Sequence, residues 1–117
     1  MSYDSNNVFA KILRHEIPNT TVYEDSFVLA FKDINPKAKI HVLVIPKGAY
    51  VNFQDLLDHA PQAEIDGFLK GILATIKTLN LEDGYRLVFN TGKNSGQEVP
   101  HLHAHILGGE QLSIDHL

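Results

Sequence analysis

Histidine and apolar residues alternate through His101-Leu102-His103-Ala104-His105-Ile106-Leu107. A period of two fits a β-strand, whose successive side chains point to opposite faces, and does not fit a helix. The segment predicts a strand with His101, His103 and His105 on one face. Leu102, Ala104 and Ile106 then face a core. Three imidazoles fill a core poorly, but they gather groups that exchange protons near neutral pH.

Metal binding is the rival reading of the same residues. Two histidines at i, i+2 on a strand can share a zinc ion. The outer two are four residues apart, roughly 13 Å at about 3.3 Å per residue, whereas a zinc–nitrogen bond is about 2.0–2.1 Å. One ion can therefore take only two of the three. The chain has no cysteine and no second histidine pair at ligand spacing. Metal-free chemistry is the preferred reading, with no metal ligand and no cofactor assigned.

The 117 residues suffice for one domain, 1–117, with a real core. A hydrophobic content of 44% marks a globular chain. The net charge of −4 argues against general affinity for nucleic acid, which needs a basic patch. The absence of cysteine rules out disulfides and fits a reducing compartment. The N-terminal Met1-Ser-Tyr-Asp-Ser-Asn-Asn7 has neither the basic nor the apolar part of a secretory signal. No segment approaches the ~20 apolar residues of a membrane span. A cytoplasmic protein without a membrane partner is expected.

Val8, Phe9, Ile12 and Leu13 are spaced for a short helix after Asn6-Asn7, ended by Pro18. Residues 21–24 and 27–34 read as strands joined by a tight turn at Glu24-Asp25-Ser26. Residues 40–45 form a β-branched strand that stops at Pro46. Asn52 caps a short helix, and Ala60-Pro61 opens a longer one that keeps its spacing to Asn80. Residues 85–90 and the histidine segment supply two more strands. The order implies an α+β fold: an antiparallel five-stranded sheet with helices on one face, the other left for a ligand. Gly67 and Gly71 lie one turn apart in the long helix, at about 1 kcal/mol each in helix propensity. They point to close packing, within the fold or across a dimer axis.

Among the remaining histidines, His15, His59 and His116 have polar neighbours and read as surface residues. His41 opens the apolar strand His41-Val-Leu-Val-Ile45 and shares a face with Leu43 and Ile45. It is expected against His101 as a supporting group. The loop Asn90-Thr-Gly-Lys-Asn-Ser-Gly-Gln97 offers glycine backbone and polar side chains to an anion. Phe31-Lys-Asp33-Ile-Asn-Pro36 sets an aspartate among apolar groups, a way to hold ribose hydroxyls beside a sandwiched base.

Together these segments resemble the histidine triad (HIT) family, and within it the Hint branch of purine nucleoside phosphoramidases. The family pattern His-φ-His-φ-His-φ-φ, with φ apolar, stands at 101–107. Residues 9–18, 30–36, 41–46, 84–90 and 96–99 resemble the flanking segments of that branch, and Gly108-Gly109 follows the triad as it does there.

The resemblance implies a homodimer whose two sheets join into one. It implies hydrolysis of nucleoside 5′-monophosphate conjugates, such as adenosine 5′-phosphoramidate or acyl-AMP, through a covalent nucleotidyl-histidine. By similarity His103 is the nucleophile and His105 hands a proton to the leaving group, with His101 and His41 as buttress. Asn90, Gly96, Gln97 and Glu98 would surround the phosphate. Asp33 would take the ribose, and Phe9, Ile12, Phe31 and Ile34 the purine. Glu98 stands where some members carry a hydroxyl, Glu110 stands where many carry a basic residue, and the tail lacks a tryptophan found in some relatives. The alternatives are a nucleotide-binding signalling or scaffold protein with little catalysis, and a dinucleoside polyphosphate hydrolase.

Overall fold

The computed structural model describes residues 2–116. Five antiparallel strands, β1 (Thr21–Glu24), β2 (Val28–Lys32), β3 (Ile40–Pro46), β4 (Tyr85–Phe89) and β5 (Ala104–Gly108), form one sheet in the order β1-β2-β3-β5-β4. Three helices accompany it: α1 (Val8–Leu13), α2 (Phe53–His59) and α3 (Gln62–Thr78).

Strand alternation sorts the apolar residues into two clusters. Val28, Ala30, Val42, Val44, Ala104 and Ile106 pack with Leu56 of α2 and Phe68, Ile72 and Ile76 of α3. This is the main core, and Ala104 faces the helices as its small size suggested. On the opposite face Leu29, Phe31, Leu43 and Ile45 pack with Phe9 and Ile12 of α1. Helices α2 and α3 thus cover one face, and the six-residue α1 covers only part of the other.

Local chemistry sets the boundaries. Asp25 turns the β1–β2 hairpin by accepting from the amides of Phe27 and Val28 at 2.7 and 3.0 Å. Asn7 caps α1 through Ala10 N–H at 2.9 Å, and Asn52 caps α2 through Asp55 N–H at 2.9 Å. Asn80, at φ +55°, ends α3 in the left-handed conformation that asparagine tolerates. The close packing at Gly67 and Gly71 is intramolecular. A Cβ would lie 2.3 Å from the Phe27 ring at Gly67 and 2.5 Å from Val28 Cγ2 at Gly71. Among the described residues, no helix is long and apolar enough to cross a membrane.

Candidate functional site

The sheet face left open by α1 carries a cleft of about 630 Å³ lined by His41, His103 and His105, with Asp33, Asn90, Ser95, Gly96 and Glu98 around them. A second, more apolar hollow of about 700 Å³ adjoins it, lined by Ile12, Phe31 and Ile34 among others. Phe9, Asp33, Leu43, Glu98 and Val99 border both. The polar and apolar halves therefore form one continuous depression.

The histidine segment is only partly strand. β5 begins at Ala104, so His101 and His103 precede the ladder. His103 and His105 still face the cleft, with ring centroids 5.1 Å apart. His101 does not: it is fully buried behind them and does not border the cleft. His41 is not against His101 but against His105, at 2.9 Å from Nε2 to Nδ1. The register explains this correction. β3 and β5 pair Leu43 with His105 and His41 with Leu107, so His41 lies diagonal to His105. His101 comes four residues earlier, beside the end of β3 at Pro46.

Hydrogen-bond partners assign the tautomers. A carbonyl can only accept, so His101 donates from Nε2 to Pro46 O at 2.9 Å, and its Nδ1 accepts from Tyr3 O–H at 2.5 Å. His103 donates from Nδ1 to the backbone oxygen of His101 at 2.7 Å, leaving Nε2 as a bare lone pair. His41 accepts the amide of Lys37 at Nδ1, 3.0 Å, so its Nε2–H donates to His105 Nδ1. His105 then carries its proton on Nε2. Among the described residues no buried side-chain nitrogen or oxygen lacks a partner, and neither Nε2 has one. Both atoms therefore reach the open cleft, one as a lone pair and the other as an N–H donor.

All four rings are held neutral. Burial pulls His101 down to about 4, against the opposing hydrogen bond to Pro46. Burial, then the neighbouring His103 and His41, bring His105 down to about 4. Burial also lowers His103 and His41, opposed in both by the carboxylate of Asp33. With His41 uncharged, its 3.5 Å approach to Asp33 Oδ2 is a polar contact rather than an ion pair.

The other expected residues are placed unequally. Asn90 is half-buried at the cleft wall, and Gly96, at φ +80°, follows a single 3₁₀ turn over Lys93–Ser95. Gln97 is spent on structure: its amide donates to Val51 O, ahead of α2, at 2.7 Å and accepts Gly92 N–H of its own loop at 2.9 Å. Ile34 is 92% exposed at the rim of the apolar hollow. Phe9 stands edge-on to His103 at 5.0 Å between centroids. Asp33, His41 and His105 each bring one ligand atom within 4.8 Å of the others, a set that could hold a metal ion. It is not the i, i+2 pair considered from sequence.

Sequence reasoning missed four contributors. Leu43 was accessible, since it lies two residues from His41 on the same strand face. Lys37 acts through its amide and Tyr3 across 98 positions, and neither carries a sequence signal. His116, expected on the surface, is half-buried and borders the cleft, with Nδ1 accepting from Ser113 N–H at 2.8 Å. Arg86 holds this tail by donating to Ser113 O at 2.7 Å, and Glu110 accepts the Lys39 amide at 2.6 Å.

Known proteins share this arrangement of sheet and helices. A HIT family hydrolase from Legionella pneumophila superposes with a TM-score of 0.84 at 42% identity, over 93% of this chain and 97% of that one. A histidine triad nucleotide-binding protein from Candida albicans gives 0.77 at 30% identity, over 86% and 73%. An uncharacterized 13.2 kDa HIT-like protein of Azospirillum brasilense is 49% identical over 112 residues, 95% of this chain and 92% of that protein. The HIT domain profile matches residues 14–112, which hold all five strands, and the chain belongs to the HIT family.

Proposed function

We propose that the protein hydrolyses purine nucleoside 5′-monophosphate conjugates, with an amine or acyl leaving group on the α-phosphorus, through a nucleotidyl-His103 intermediate. One observation carries the reading. Neighbouring imidazoles present opposite functions to one cleft: a lone pair on His103 Nε2 and a donor on His105 Nε2. A displacement at phosphorus needs that pair, a nucleophile and a proton source for the departing group.

In the first step His103 Nε2 forms a bond to phosphorus as the bond to the leaving group breaks. The Nδ1–H bond to His101 O steadies the positive charge that grows on the ring. An anionic phosphate beside His105 raises its proton affinity, so His105 takes a proton from solvent at Nδ1 as the His41 ring turns its Nε2–H away, and it gives its Nε2 proton to the leaving nitrogen. Asp33 offsets the charge that the Nδ1 proton puts on His105. Water then attacks phosphorus and releases the mononucleotide. Its proton returns to His105, and His103 regains its lone pair.

Asn90 and the backbone N–H of Glu98 suit the phosphate oxygens, whereas the N–H expected from Gly96 already donates to Lys93 O at 3.1 Å. The apolar hollow with Phe9, Ile12, Phe31 and Ile34 suits a purine, and Asp33, at the junction, the ribose. The same reading includes a homodimer paired through β4. That strand is a free sheet edge with Tyr85 and Leu87 exposed, and α3 exposes Leu69 and Leu73.

The test is rapid quench with adenosine 5′-phosphoramidate followed by intact-mass measurement. One adenylyl group should appear on the chain and map to His103. Hydrolysis without an adduct, together with an active His103→Ala variant, would overturn the mechanism. Binding without hydrolysis would favour the scaffold alternative, and faster cleavage of dinucleoside polyphosphates would move the substrate class.

A further inference from the structure

His101 is the most deeply placed of the four site histidines, with no exposed surface and no contact with the cleft. Its influence on the chemistry runs through its backbone. The carbonyl of His101 is the acceptor that fixes the Nδ1–H of His103. What fixes His101 therefore bears on where that carbonyl points.

The ring of His101 is held at both nitrogens. Pro46 O takes the Nε2 proton, and the Tyr3 hydroxyl donates to Nδ1. The Tyr3 ring also stands edge-on to the imidazole, with centroids 5.5 Å apart and an interplanar angle of 68°. The segment bearing Tyr3 is pinned. Asn7 Nδ2 donates to Asp4 O at 2.8 Å, and the Arg14 guanidinium donates to Ser5 O at 2.8 Å.

We infer that Tyr3 is a positioning residue for the nucleophile: its hydroxyl locks the tautomer and tilt of His101, and the His101 carbonyl passes that constraint to His103. The inference rests on His103 as nucleophile. Without the hydroxyl, Nδ1 of His101 is a buried acceptor with no donor, which the ring relieves by turning. A turn there shifts the peptide that holds His103. The Nε2 lone pair then faces the cleft only part of the time.

The test compares Tyr3→Phe, which removes only the hydroxyl, with Tyr3→Leu, which also removes the ring. In ¹⁵N-histidine-labelled full-length chain, two-bond ¹H–¹⁵N correlations should show wild-type His101 as the Nε2–H form and His103 as the Nδ1–H form. Both variants should show mixed tautomers at His103. The rate of adenylylation should fall roughly tenfold to a hundredfold, as for a displaced reacting group, with KM unchanged.

If Tyr3→Phe keeps wild-type ring signals and rate while Tyr3→Leu loses them, Tyr3 only packs and the inference fails. It fails equally if both variants match wild type. The ring signals need no turnover. A chain that forms no adduct with the phosphoramidate would defeat the nucleophile assignment while the Tyr3–His101–His103 linkage could still be read.

Discussion

The Nδ1–H of His103 donates to the backbone oxygen of His101 at 2.7 Å, so a main-chain group selects the tautomer of a cleft imidazole. A main-chain acceptor cannot change its protonation with pH, and His103 Nε2 stays a lone pair wherever the ring is neutral. His103→Ala should therefore remove turnover of adenosine 5′-phosphoramidate to background, with AMP affinity changed less than about tenfold. Steady-state rates and calorimetric titration with AMP check the two halves. An active variant would exclude His103 as the attacking group.

Acid should destabilise the fold through His101. Its folded value of about 4 lies below the ordinary 6.5, so between these values the unfolded chain binds more protons. Stability is then fully present above pH 6.5 and is lost as pH falls toward 4. Each unit is about 1.4 kcal/mol, which gives about 3 kcal/mol from this one buried ring. Urea midpoints at pH 7 and pH 4.5 measure it, and equal midpoints would contradict the assignment.

Gly71→Ala should destabilise despite a better helix former. The propensity gain is about 1 kcal/mol. The new Cβ would meet Val28 Cγ2 at 2.5 Å, an overpacking that costs about 1–3 kcal/mol. A lower melting temperature for G71A, partly restored by adding Val28→Ala, is the expected pattern. A more stable G71A would show that α3 can shift away from β2.

Asn7→Ala should loosen α1, whose six residues have little stability of their own. Loss of the cap costs about 1 kcal/mol. Because α1 carries Phe9 and Ile12 to the apolar hollow, AMP binding should weaken along with the melting temperature. Unchanged affinity in N7A would detach α1 from nucleotide binding.

Chelator treatment should leave hydrolysis intact, and added zinc should inhibit it. An ion held by Asp33, His41 and His105 would take ring nitrogens out of the His41–His105 hydrogen bond and block protonation of His105. Asp33→Asn should raise the zinc concentration needed for half-inhibition. Activity lost to chelator and restored by zinc would return the site to the metallohydrolase reading.

The two-residue period was legible over 104–107, where it records which side of a sheet each side chain takes and Ala104 and Ile106 lie in the helix-side core, but 101–103 precede the ladder and His101 does not face the cleft. The caps at Asn7 and Asn52 and the turn at Asp25 were equally local. The partner of His41 was not legible. It depends on the register between β3 and β5, set by packing across more than sixty residues. Composition also could not tell that His101 would be buried, or that Gln97 would be used up tying its loop to Val51.

The starting point of β5 has a chemical consequence. Had pairing run three residues further back, the oxygen of His101 would have been consumed by a neighbouring strand, as interior strand carbonyls are. Because the ladder stops at Ala104, that oxygen is left over, and the leftover acceptor turns an ordinary imidazole into a directed electron pair. An insertion or deletion between Pro100 and Ala104 should therefore harm reactivity far more than it harms folding.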